Sequence, residues 1–202
     1  MASDSAAFAD QAYKRERQRQ VGSYLFDEEL SDPESAVYHD PESGKTILAA
    51  RGTEVQQGAR TAARDLLADV GVATGTNLGG YGSRFDRTQK TFERARDKYG
   101  GDIEATGHSL GGTLAASLAA KNNIPATTYN RGAGLPRLSD LKCSRFNPFK
   151  KPEYCGKIDN VRVHGDGVSL LGRVFGSGRW NRKVKGSGGL LSRHGVANFS
   201  RP

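Results

Sequence analysis

Apolar positions fall in short blocks along this chain, and their spacing switches between strand-like and helix-like periods. Ala36-Val37-Tyr38-His39 and Lys45 to Ala50 read as two strands joined by the turn Asp40-Pro41-Glu42-Ser43-Gly44. Ser83 to Tyr99 reads as a helix: Ser83 and Asp86 resemble a cap, and Phe85, Phe92, Ala95 and Tyr99 form a core stripe. Ile103-Glu104-Ala105-Thr106 alternates as a strand, and the Ala- and Leu-rich stretch Thr113 to Lys121 is helical. Pro125 to Asn130 and Ile158 to Val163 supply two more strands, the first followed by the turn Arg131-Gly132-Ala133-Gly134. Ala6 to Gln20 is expected to be a helix with Phe8, Ala12, Arg15 and Arg19 on one edge. The alternation predicts an α/β fold. Residues 1–35 are expected to form an N-terminal helical and polar segment, and residues 36–202 a single domain.

One junction between these blocks carries chemistry. Gly107-His108-Ser109-Leu110-Gly111-Gly112 joins a strand to a helix. This is the setting of the nucleophile elbow of α/β-hydrolases, with a mostly parallel sheet flanked by helices. A Ser there sits on a tight, strained turn that lifts its hydroxyl out of the sheet. Gly107 and Gly111 are needed because a Cβ would collide with the neighbouring strand or helix. The helix that follows directs its free N–H groups at that hydroxyl.

Such a fold orders its triad as Ser, then Asp or Glu, then His. Of the four histidines, His39 and His108 precede or adjoin Ser109, and His164 precedes any acid suitably placed after a strand. His194 remains. Between Ser109 and His194 stand Asp140, Glu153, Asp159 and Asp166. Only Asp166 directly follows an apolar alternation, at the C-terminal strand edge where open α/β sheets place their sites. The expected triad is Ser109, Asp166 and His194, with Leu110 N–H as one oxyanion donor.

The pattern strand, turn, strand, Arg51-Gly52-Thr53, an acid-bearing helix and then Gly-His-Ser-Leu-Gly-Gly resembles the class 3 lipases, the fungal triacylglycerol lipase family. The resemblance runs from about Val37 to His194. It implies that Thr53 N–H is the second oxyanion donor and that Arg51 pairs with Asp65 or Asp69. It also implies that Asn130 and Arg131 line the site. The stretch Glu54 to Arg60 is polar and Gly71 to Gly82 is Gly-rich, so the chain is expected to be compact and without a large apolar lid.

Charge adds a second clue. The 202 residues carry a net +8, yet residues 142–202 hold 13 Lys and Arg against 3 acids, while the rest holds 17 against 19. The basic, Gly-rich segment 172–185, with the only Trp at 180, suits an anionic membrane surface. Nucleic-acid phosphates would suit it too, and so would a solvated loop. Residues 1–20 show no apolar core or cleavage site, and no long apolar run occurs, which favours a cytoplasmic or assembly-packaged protein, a virion included, over classical secretion. Cys143 and Cys155 share one loop; they either close a small disulfide or stay as thiols, and the missing signal favours thiols. No metal or other cofactor is expected, and the sequence leaves the oligomeric state open.

The expected function is serine-dependent hydrolysis of lipid carboxylic esters, with a phospholipase A1-like activity favoured by the basic flank. The alternative is a basic binding or structural protein on a lipase-like scaffold, although a scaffold has no need of the triad residues together with Arg51-Gly52-Thr53.

Overall fold

Among the described residues eight strands form one sheet, and their order across it is their order in the chain. The structure, a computed structural model, describes residues 2–52, 78–132, 152–166, 179–184 and 195–199. Strands β1 (Gln20–Val21), β2 (Tyr24–Asp32), β3 (Ser35–His39) and β4 (Thr46–Ala50) make an antiparallel meander. From β4 onward the direction is constant, through β5 (Ile103–His108), β6 (Ala126–Tyr129), β7 (Ile158–Val163) and β8 (Arg179–Val184). Parallel neighbours require crossovers. Helix α3 (Leu110–Asn122) makes the one from β5 to β6, and α2 (Leu78–Tyr99) precedes β5.

Both faces of the sheet are covered, which is why its middle strands read as nearly continuous apolar runs. On one face Val37, Leu48 and Ile103 pack with Phe85 and Phe92 of α2 and with Leu114 and Leu118 of α3. Helix α3 is buried all round from Gly111 to Ala120, so it is mostly small and apolar rather than amphipathic. On the other face α1 (Ala2–Gln11) sets Phe8 against Tyr38 and Ile47, while Ala6 and Ala9 meet Tyr129, Val161 and Val163.

Helix α1 stops at Gln11, well short of the expected Gln20. Tertiary partners compete successfully with helix continuation there. The Gln11 side chain accepts the Gln18 N–H (2.8 Å), and Arg17 reaches the carbonyls of Asp32 (2.7 Å) and Ser35 (3.1 Å). Of the expected helix edge, Phe8 and Ala12 are buried, whereas Arg15 and Arg19 are exposed.

Strands β1, β2 and β8 have no counterpart among the expected elements. In β2 a buried acid explains the miss: Asp27 lies in the strand but accepts hydrogen bonds from Lys98 Nζ (2.8 Å), Tyr99 Oη (2.6 Å) and Leu30 N–H (3.0 Å). Burial alone would raise its carboxyl, and these donors outweigh that and hold it below the usual range. The segment with the highest basic density supplies β8, parallel to β7. Cys155 is disulfide-bonded, contrary to the leaning toward thiols. A compartment argument carries no geometry, and this sulfur is buried beside β7 in the 3-10 turn Glu153–Gly156. The chain's other cysteine, Cys143, lies outside the described residues.

Candidate active site

At the end of β5 the backbone turns abruptly into α3, and Ser109 is the residue that turns it, with φ 56° and ψ −124°. A non-glycine residue in that region costs about 1–3 kcal/mol and persists only where its surroundings fix it. Here they do. Ser109 N–H donates to Tyr129 O (3.0 Å), and Ser109 O accepts from Thr113 N–H (3.3 Å) and Gly132 N–H (3.2 Å). Thr113 Oγ1 donates in turn to Gly132 O (3.0 Å), tying the elbow to the turn after β6. The two flanking glycines are steric requirements. A Cβ on Gly107 would overlap the Gly111 backbone, and one on Gly111 would overlap Ala50 O and press on Gly52 N. The elbow is therefore packed directly on the turn that follows β4.

That turn is held from three sides. Arg51 N–H donates to Glu34 O (2.7 Å), and Arg84 of α2 donates to Arg51 O (2.8 Å). Gly52 N–H donates to Tyr13 Oη (3.1 Å), and the same hydroxyl donates to His108 O (3.0 Å). The Tyr13 and His108 rings meet edge-on at 5.9 Å, with His108 Nδ1 3.3 Å from the hydroxyl. Tyr13 thus bridges the residue before Thr53 and the residue before Ser109. Sequence reasoning missed it, because a lone Tyr between a helix and a charged run carries no local signal. Glu34 lies near Arg51: a hydrogen bond from Arg87 first, then the charges of Arg84, Arg87 and Arg51, hold its carboxyl low against burial.

On the far side, β5, β6 and β7 run in parallel register, His108 opposite Tyr129 and Tyr129 opposite Val161. Asn130, at φ 42°, accepts Val163 N–H on Oδ1 (2.8 Å) and donates its own N–H to Val161 O (2.9 Å). Its side chain therefore fixes the end of β7. Gly165, at φ 81°, turns the chain there, and Asp166 follows, buried, its N–H on Val163 O (3.3 Å). Arg131 is buried beside the elbow-binding Gly132.

Of the sequence-derived site residues, Ser109, Leu110, Gly107, Gly111 and Arg51 meet where the elbow packs on the β4 turn, and Asp166 stands at the same C-terminal edge two strands away. Thr53, Asp65, Asp69 and His194 lie outside the described residues. Among the described residues no cluster of metal-ligating side chains occurs.

A family model, the Tle-like phospholipase domain of the phospholipase-like group, matches residues 4–192. The chain belongs to this family. The fold of this Tle-like phospholipase domain is that of the α/β-hydrolases, with a lipase as a structural neighbour. Lip2 lipase from Yarrowia lipolytica superposes with a TM-score of 0.52 at 18% identity, over 89% of this chain and 77% of that one. A point mutant of MDLA from Penicillium cyclopium gives 0.47 at 16% identity, over 84% and 70%. Comparison with curated proteins yields no match. The resemblance to class 3 lipases is thus upheld, and at this level a Tle-like phospholipase domain is a lipid ester hydrolase in kind.

Proposed function

We propose that the chain is a serine phospholipase of A1 type, with Ser109 as nucleophile, His194 as base and Asp166 as the acid that orients His194. Ser109 Oγ attacks the ester carbonyl carbon and passes its proton to His194. Leu110 N–H and Thr53 N–H receive the oxyanion. The tetrahedral adduct collapses, the lysolipid alcohol leaves with the proton from His194, and water then releases the fatty acid from Ser109. Asp166 keeps the imidazole in the needed tautomer and stabilises its charged form. The net positive charge of segment 172–185 suits an anionic lipid surface.

The observation that carries this reading is the Ser109 backbone. Its φ of 56°, held by Tyr129, Thr113 and Gly132, is a strain that a mere turn serine would have no reason to keep. The experiment is hydrolysis of dihexanoyl phosphatidylcholine and of p-nitrophenyl butyrate by the wild type, Ser109→Ala and His194→Ala. We expect release of the sn-1 fatty acid by the wild type and a loss of about three orders of magnitude or more in both variants. Turnover that survives in Ser109→Ala refutes the nucleophile; a folded wild type inert on both esters refutes the hydrolase.

A further inference from the structure

The charged run after Tyr13 does not simply face solvent. It leaves α1 and, with β2 and the turn after β4, lines an open cavity of about 690 Å3 whose cationic side chains are Lys14, Arg15, Arg17, Arg19 and Arg51. Among the described lining residues three acids, Glu16, Glu28 and Asp32, stand against these five cations, of which Lys14 also pairs with Asp10 (3.3 Å). Asp32 is already engaged: Oδ1 accepts from the N–H groups of Glu34 and Ser35 (2.7 Å each), and Oδ2 from Thr91 Oγ1 (3.1 Å). Glu16 and Glu28 are exposed.

Arg17 is the group the cavity leaves incomplete. Both terminal nitrogens donate to carbonyls, of Asp32 and Ser35, while its Nε is buried without an acceptor. A buried donor without a partner is costly, and its natural complement is an oxygen anion. Burial also pulls the Arg17 guanidinium below its ordinary value, and Tyr38 and Asp32 offset that only in part while Arg51 adds to it.

The position of the cavity says what it serves. Lys14 follows Tyr13, whose hydroxyl holds Gly52 N–H, and Arg51 precedes Gly52. One turn therefore borders the cavity and packs on the nucleophile elbow. We propose that this cavity is a phosphate subsite, which takes the phosphodiester of a glycerophospholipid whose ester lies at Ser109. This rests on the serine phospholipase reading above and adds a reason for choosing phospholipid over neutral glyceride. A phosphodiester offers two anionic oxygens to guanidinium forks that a diacylglycerol cannot engage.

The test pairs two monomeric substrates with identical acyl chains, dihexanoyl phosphatidylcholine and dihexanoylglycerol, both below their micelle thresholds so that surface attraction plays no part. The variant is Arg15→Gln/Arg19→Gln, two exposed side chains, with Arg17→Lys as a second. The ratio of kcat/KM for phospholipid to that for diacylglycerol is expected to fall about tenfold, through KM. A variant that folds poorly lowers both rates and leaves the ratio standing, so the ratio is read free of folding losses. Inorganic phosphate, titrated calorimetrically, is expected to bind the wild type and to bind the double variant about tenfold more weakly. An unchanged ratio overturns the proposal, and if phosphate binding is nevertheless weakened the cavity serves free phosphate and not the lipid. Should the wild type hydrolyse neither lipid, the phospholipase reading fails by itself. Phosphate binding lost in the variant would then still uphold the phosphate site, and its absence in the wild type would overturn it.

Discussion

Tyr13 donates its hydroxyl proton to the carbonyl oxygen of His108 across 3.0 Å, joining residues 95 apart in the chain. Through its second bond, from Gly52 N–H, it fixes the separation of the two turns assigned to the oxyanion hole. It is a positioning residue: its hydroxyl acts through the backbone on both sides, at His108 O and Gly52 N–H.

Tyr13→Phe should therefore lower kcat about tenfold while KM stays within about twofold, with a stability loss of about 1 kcal/mol. Steady-state kinetics on a soluble ester and thermal unfolding read the two effects separately. A loss carried by KM alone would assign Tyr13 to substrate binding instead.

Glycine requirements differ sharply along the chain. Gly111→Ala should cost about 3 kcal/mol or more, because its Cβ meets backbone at Ala50 and Arg51 that cannot step aside. Gly101→Ala, with open space around the same position, should stay within about 0.5 kcal/mol. Urea unfolding of both variants checks the contrast.

Asp27 predicts an acid limb. Its carboxyl is held below its unfolded value, so the stability it supplies is full above about pH 4 and is lost as pH falls through the folded value. Asp27→Asn should cost about 1 kcal/mol at pH 7, discounted because Lys98 is partly exposed. The gap to wild type should close as the pH is lowered toward 2. Lys98, raised by Asp27 and then Glu29, contributes in the opposite sense: its share is complete below its unfolded value and is lost as pH rises through the folded one. Thermal midpoints measured from pH 2 to 7 test the acid limb.

Reduction should matter as well. Cys155 is disulfide-bonded, and the chain has one other cysteine, at 143. Closing a loop of that size stabilises by about 3 kcal/mol in the chain-entropy account. Dithiothreitol should lower the thermal midpoint of the wild type and leave that of Cys155→Ser unmoved.

Much of the architecture was legible because local pattern and tertiary setting agree. Gly107, Ser109 and Gly111 each answer to a steric demand visible in the spacing, and Asp166 is reached by asking which acid follows a strand. Elements that escaped sequence reading are those where partners distant in sequence decide. Asp27 would count against a strand until Lys98 and Tyr99 arrive to satisfy it. Arg17 ends a helical pattern by reaching the β2–β3 turn. Tyr13 finds its acceptor ninety-five residues later, which no window along the chain contains.

Strand order that follows chain order has a kinetic meaning. A polypeptide emerging amino end first can add each strand to an edge already formed, and needs no gap held open for a later arrival. The serine is an exception to this steady zippering. Its backbone is clamped by Tyr129 and Gly132, so some twenty residues must follow it before its strained geometry can be maintained. A nascent chain that already contains the proposed nucleophile is, for that interval, chemically unarmed.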